Sequence, residues 1–270
     1  MNSKRIQLLL TGIAAWISLL LMITTTYGAS IVIGGDYTDI GTIVIISPNP
    51  GDTPQTNGAA LLNNLAGITA DVNNYLIKLG PGIYDIGTNS LQMKAYVDVE
   101  GSGENTTIIT GHIDSSSSAV VSGANNAELR FLTVQNTGGG SSARALCTNN
   151  LDTLLKPSSF KITNVTASAS GGQQNSGVVN AYSSPTMTNV TASGSGGTNN
   201  WGVYSIGSGT VRINHSVIKG STSTVVNGAG VITYVGNTQL DGGPVSFYGG
   251  TLTCAGVYDE NYAFYASTCP

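Results

Sequence analysis

The 270-residue chain holds 36 glycines, only 9% charged residues and a formal net charge of −4. So few charges exclude a disordered polyelectrolyte, and ten Lys and Arg, two of them in the first five residues, exclude a basic surface for nucleic acid. A weakly charged chain rich in Ser, Thr, Asn and Gly suits an extracellular β-structure with a neutral, hydrogen-bonding surface, and its length suits one sizeable domain.

Lys4-Arg5 precedes an apolar stretch from Ile6 to Ile23, and small residues Thr26 and Gly28 fit the −3 and −1 positions of a cut before Ala29. Residues 1–28 therefore read as a signal peptide. The alternative is an uncleaved anchor, since about 18 apolar residues suffice to span a bilayer, but Thr11, Gly12 and Ser18 dilute the run. The expected location is extracellular, at the cell surface or in a periplasm, with membrane contact only through this segment. The rest, 29–270, reads as one monomeric domain with an N-terminal cap over 29–74, coils over 75–250 and a C-terminal cap over 251–270.

In that domain Ile31-Val32-Ile33 and Ile43-Val44-Ile45-Ile46 are short strand candidates. A helix is expected over about 57–68, with Leu61, Leu65 and Ile68 on one stripe, capped by Thr56 or Asn57 and covering the open end of the first coil. Strands follow at Tyr75 to Leu79, Ile83 to Ile86, Leu91 to Met93, Tyr96 to Glu100, Thr107 to Thr110 and Leu129 to Val134, separated by glycine turns. A Ser/Gly-rich insertion is read near Gly138 to Ser142.

From Phe160 the sequence repeats itself. Ile162-Thr163-Asn164-Val165-Thr166-Ala167 returns as Met187-Thr188-Asn189-Val190-Thr191-Ala192 and, more loosely, as Ile213-Asn214-His215-Ser216-Val217. Asn164, Asn189 and Asn214 stand at equal intervals, and Gly177 and Gly202 keep the same step. A fixed period in a Thr, Val, Ser, Asn and Gly-rich unit marks a solenoid of short strands, an all-β parallel β-helix. Ile162 and Val165 are three apart, which breaks strict alternation. A left-handed bend at Asn164 restores the inward direction of both, and Asn189 and Asn214 would stack above it as an amide ladder. A fourth copy, from Val235, sets Gly236 at the bend, with His215 in register with Val165 and Val190. The same asparagines, with Asn105, also fit the Asn-X-Ser/Thr glycosylation pattern.

Beyond Gly242 the chain is expected to leave the repeat, with Tyr258, Tyr262, Phe264 and Tyr265 plugging the end. Cys254 and Cys269 are the natural disulfide pair, worth roughly 3 kcal/mol, leaving Cys147 free or buried; the other pairings stay open. No Cys or His cluster has metal-ligand spacing, and no cofactor motif is present.

The stretch Leu76-Ile77-Lys78-Leu79-Gly80-Pro81-Gly82-Ile83-Tyr84, followed by Val97-Asp98-Val99-Glu100-Gly101-Ser102-Gly103, resembles the opening coils of pectinesterase-like proteins. Those are secreted right-handed parallel β-helices of the pectin lyase-like superfamily. The Thr-Asn-Val-Thr-Ala-Ser coils and the tail Cys254-Ala255-Gly256-Val257-Tyr258-Asp259-Glu260-Asn261-Tyr262 are similar to bacterial secreted repeat proteins that share this opening. The resemblance implies export and a single-stranded right-handed parallel β-helix with an N-terminal capping helix. It carries over no catalytic residue: the aspartate pair, the oxyanion glutamines and the Gly-Arg-Pro-Trp arginine of pectinesterases are missing, and Ile83 stands where that family usually has Glu.

Two groups of residues remain as candidates. Asp98 and Glu100 lie two apart on a strand, so both emerge on one face, roughly 7 Å apart, compatible with a two-carboxylate glycosidase. Glu128 and Arg130 form a similar pair one or two coils on, and such a cluster suits an acidic sugar or Ca²⁺, or is an ordinary solvated strand face. Trp201 and Tyr204 offer rings on which a sugar stacks, or pack on neighbouring coils. The function expected is glycan binding or adhesion at an extracellular polysaccharide or cell-surface glycan, without catalysis; the rival is a carbohydrate-active enzyme, a pectin esterase or polysaccharide lyase.

Overall fold

The computed structural model describes residues 41–69, 74–149 and 158–270. The signal segment and the strand expected at Ile31–Ile33 lie outside them. Each turn of chain lays down three short strands, and every turn stacks on the one before.

The first face comprises β1 (Thr42–Ile46), β2 (Tyr75–Leu79), β5 (Val97–Glu100), the leading halves of β8 (Glu128–Asn136), β10 (Lys161–Ser170) and β12 (Thr186–Ser195), then β14 (Gly209–Asn214), β17 (Val231–Gly236) and β20 (Thr251–Ala255). The second comprises β3 (Gly82–Asp85), β6 (Thr107–Gly111), the trailing halves of β8, β10 and β12, then β15 (Val217–Gly220), β18 (Gln239–Gly242) and β21 (Val257–Asp259). The third comprises β4 (Leu91–Gln92), β7 (Val121–Ser122), β9 (Gly140–Cys147), β11 (Gly172–Ala181), β13 (Asn199–Ile206), β16 (Ser223–Gly228) and β19 (Ser246–Tyr248). The pairings within these faces are parallel. The result is a right-handed parallel β-helix, the sense that parallel strands joined by crossovers adopt almost without exception.

One core column runs the length of the coil: Ile77, Val99, Leu129, Ile162, Met187, Ile213, Val235 and Cys254, each in register with the next and each buried. Every member therefore packs mainly on its own equivalents, as a solenoid requires.

The bend column differs from the sequence expectation in its upper half. Phe131, Asn164, Asn189, His215 and Asn237 all have positive φ, between 47 and 55°, and Gly256 follows at 65°. Asn189 donates its side-chain amide to the Asn164 carbonyl. Asn214 is not in this ladder: it pairs with Thr188 and Gly236, one step before the bend, so His215 stands above Asn189 rather than in register with Val190. Gly236 likewise yields the bend to Asn237. The cause lies at a corner. Ala181 aligns with Ile206, the same interval that separates Asn164 from Asn189, whereas Thr186 aligns with Arg212, one position further on. The corner Gly207–Val211 is therefore longer by one than the corner Tyr182–Pro185 beneath it.

The helix α1 (Pro54–Gly67) starts earlier than expected. Thr53, not Thr56 or Asn57, caps it, accepting from the Thr56 N–H, and Pro54 supplies the first-turn φ. It buries Ala60, Leu61 and Leu65 and packs on β3, whose outer edge it closes. The Asn57 side-chain amide donates to the Ile83 carbonyl, and Gly58 comes so close that a Cβ there would lie 2.0 Å from the Asp85 carbonyl oxygen. The stretch around Gly138 to Ser142 is likewise not an insertion alone: β9 begins at Gly140 and pairs with β11.

At the far end the repeat outlasts Gly242. β20 pairs with β17 and β21 with β18 before β22 (Phe264–Tyr265) turns back antiparallel on β21. The Cys254–Cys269 disulfide pins this tail, while Cys147 is free and buried, its thiol pushed up to about 11 by burial.

Tyr84 anchors the first coil. Fully buried, it donates its hydroxyl between the Ile46 and Gly80 carbonyls, each 3.0 Å away, and burial pushes its pKa up to about 12. Tyr84→Phe is expected to cost about 1–2 kcal/mol near neutral pH, measured by denaturant unfolding. Because the folded pKa is raised, the wild type binds the phenolic proton more tightly when folded. Its stability should therefore fall as pH rises from about 10 to about 12, while the Phe variant lacks that loss and the gap narrows. A gap that stays constant through that window would remove the buried hydroxyl from this role.

Candidate functional site

The strand alternation of β5 and β8 turns Asp98, Glu100, Glu128 and Arg130 outward on the first face, and adjacent coils bring all four together. Arg130 lies in the centre. Its Nη1 donates to Asp98 Oδ2 at 3.2 Å and Glu128 Oε2 at 2.9 Å, while Nε and Nη2 both reach Glu100 Oε2 at 2.9 Å. The outer oxygens are also engaged: Glu128 N–H donates to Asp98 Oδ1 at 2.8 Å, Lys78 Nζ to Glu100 Oε1 at 3.0 Å, and Thr163 Oγ1 to Glu128 Oε1 at 2.6 Å.

Burial raises the Asp98 carboxyl above its ordinary range despite the Glu128 N–H and Arg130. Burial acts the same way on Glu100, but Lys78 and Arg130 outweigh it and hold that carboxyl low. Arg130 is itself held more basic than usual: burial opposes its charge, and the three carboxylates more than restore it. Every carboxylate oxygen thus faces a donor within the protein. Among the described residues no group of three or more His, Cys, Asp or Glu is arranged to hold a metal ion; these oxygens converge on a guanidinium instead. Beside the cluster, Tyr75, Tyr96, Asp98, Glu128, Lys161 and Thr186 line a groove of about 380 Å³.

The third face carries the aromatic candidates. Trp201 stands in register with Ser176 and Ser223, and Tyr204 with Val179 and Val226. Their rings stack with centroids 4.8 Å apart at 27°. Tyr204 also packs on a small buried cluster of Ala119, Cys147 and Val179, so it serves packing and display together. Next to it opens a groove of about 550 Å³ lined in part by Tyr182 and Tyr248. The two tyrosines are 41% and 70% exposed, an arrangement that leaves their rings free for a ligand.

The structure therefore joins Asp98, Glu100, Glu128 and Arg130 into one cluster and Trp201 with Tyr204 into another, on different faces. Residues missed from sequence are Lys78, Thr163, Tyr182 and Tyr248. Lys78 was within reach, since alternation in Leu76-Ile77-Lys78-Leu79 turns it to the face of Glu100. Tyr182 and Tyr248 sit at a corner and in the last coil, where periodicity carries no information.

The class these features define is a three-faced parallel β-helix with an aromatic surface groove. Among solved structures the chain is similar to a pectin methylesterase from carrot, with 15% identity, a TM-score of 0.47 and coverage of 74% of this chain and 77% of that one. It is also similar to the pectin methylesterase PemA from Erwinia chrysanthemi, with 12% identity, a TM-score of 0.40 and coverage of 92% and 86%. A third, a pectin methylesterase in complex with a hexasaccharide, shares 12% identity at a TM-score of 0.33, with coverage of 77% and 80%. No family model matches the chain, and no curated protein matches it. Among the described residues no helix is long and apolar enough to cross a membrane.

Proposed function

We propose that the protein is an extracellular, monomeric β-helix that binds glycan on its third face without cleaving it. The observation that carries this reading is the stacked Trp201–Tyr204 pair beside an open groove. Rings presented this way offer apolar faces to sugar C–H groups. The first-face carboxylates support the same reading from the other side. A glycosidase needs one carboxylate free to attack or to activate water and another carrying a proton to donate, whereas here each oxygen is tied to a neighbour.

The chain has two tryptophans, Trp16 and Trp201, so protein starting at Ala29 reports on Trp201 alone by its fluorescence. Titration with soluble plant and bacterial oligosaccharides is expected to shift that emission, and Trp201→Ala to weaken binding, measured by calorimetry, at least about tenfold. Equal affinity in the variant would discard the third face as the site.

One observation favours a second reading, a carbohydrate-active enzyme: Asp98 lines the first-face groove beside Tyr75 and Tyr96, and burial holds its carboxyl above the ordinary range. Incubation with polygalacturonate and methylated pectin separates the readings. Unsaturated ends or released methanol, abolished by Asp98→Asn, would establish the enzyme.

A further inference from the structure

At the corner that follows the third face, successive coils contribute Tyr182, Gly207, Ala229 and Gly249. The order follows from the ladders, in which Ala181 pairs with Ile206, Ser205 with Asn227 and Gly228 with Tyr248. One large residue is thus followed by three small ones. A Cβ on Gly207, whose φ is +82°, would lie 2.7 Å from Tyr182 ring atoms, so that ring lies over the glycine. Tyr182 itself holds φ of 50°, a left-handed conformation unfavourable for a bulky residue. The residue nevertheless remains 41% exposed, its outer ring face turned to solvent.

The corner is the floor of the 550 Å³ groove. Tyr182 stands at one end, Tyr248 at the other and Tyr204 along the side, with Gly207 and Ala229 between. Three coil steps separate the ends, about 14 Å at the usual strand spacing. No Asp, Glu, Lys, Arg or His lines it; its polar groups are hydroxyls and backbone. Arg144, on the same face, stands two coils before Trp201 and is not among the residues that line the groove.

We infer that this groove takes an uncharged oligosaccharide lying along the solenoid axis, its ring faces on Tyr182 and Tyr248 and its hydroxyls on Ser208 and the tyrosine O–H groups. The inference rests on the glycan-binding reading and narrows it to a ligand class. A glycan bearing carboxylates would have to desolvate them against a lining that offers no opposite charge, whereas a neutral chain gives up only hydroxyl hydration that the groove's own hydroxyls replace.

The test uses protein from Ala29 onward and calorimetric titration with cello-, xylo- and galacto-oligosaccharides and with oligogalacturonate, at about 0.05 M and about 0.5 M NaCl. At least one neutral oligosaccharide should bind, with affinity unchanged by salt. Ala229 is exposed, so Ala229→Leu should fold, verified by circular dichroism, yet fill the floor and lower that affinity at least tenfold. Binding confined to oligogalacturonate and weakened by salt overturns the ligand class while leaving glycan binding in place. Unchanged affinity in Ala229→Leu overturns the groove. If no glycan binds, the broader reading falls and takes this inference with it.

Discussion

Replacing Arg130 by alanine should lower stability by about 3 kcal/mol, the low end of the range for breaking a buried ion cluster, because the side chains involved remain a fifth to a third exposed. The cost arises from what is left behind. Asp98, Glu100 and Glu128 would face one another across a half-buried strand surface, with Lys78 paired to Glu100 and Lys161 in register with Glu128 but not ion-paired to it. Arg130→Lys should recover little, since a point charge cannot reach the three directions that the guanidinium fork serves. By contrast, Arg130→Met combined with Asp98→Asn, Glu100→Gln and Glu128→Gln should recover most of the loss, because no charge is stranded.

The pH response gives an independent check. In the wild type, Glu100 is held low, so it stabilises the fold above the ordinary carboxylate range, and that contribution is lost as pH falls through its folded pKa. Asp98 is raised, so its contribution has the opposite sign, present at acid pH and lost as pH rises through its folded pKa. The two partly cancel and the wild-type profile through that window should be shallow. Without Arg130 the Asp98 and Glu100 carboxyls lose a charge that holds them down, and stability should climb as pH falls from neutral. An Arg130→Ala profile parallel to the wild type would show that the cluster is decoration.

This cluster also marks the boundary of what sequence could deliver. The outward direction of Asp98 and Glu100, and of Glu128 and Arg130, follows from alternation within each strand. Their convergence depends on the register between β5 and β8, separated by a loop of unequal coils, and no local pattern encodes that. The bend column shows the same limit from within the regular region. Asn164 and Asn189 keep both the period and the position because the corners between them match in length. The extra residue at Gly207–Val211 leaves the asparagine spacing intact and moves the backbone register by one, so Asn214 keeps the period but loses the position. Periodicity counts residues, whereas a solenoid is built on corners that absorb insertions. Tyr182 fell to the same cause, since corner residues obey no repeat, and Tyr248 lies on β19, beyond the regular copies. The solenoid itself was legible because Asn164 and Asn189, like Gly177 and Gly202, recur at one fixed interval where the corners match in length, and one such repeat is enough to mark stacked coils.

Asparagine thus plays two unlike parts in one repeat, and a pair of substitutions should separate them. Asn175 is fully buried on the third face. Its side-chain oxygen accepts from Gly172 N–H at 2.9 Å, and its amide donates to the Gly172 carbonyl at 2.9 Å and to Asn200 Oδ1 at 3.0 Å. Asn200 repeats the arrangement on Gly197, one coil on. Asn175→Ala strips three buried partners at once and should cost about 3 kcal/mol. Asn189→Ala removes one exposed side-chain bond and places alanine at a φ of 54°, worth together about 1–2 kcal/mol. Because each coil rests only on its neighbours, the damage from Asn175→Ala should stay local. Native-state hydrogen exchange should accelerate in β11 and β13 and remain near wild type in β2 and β5. Uniform acceleration along the chain, or a larger loss from Asn189→Ala than from Asn175→Ala, would contradict a fold held coil by coil.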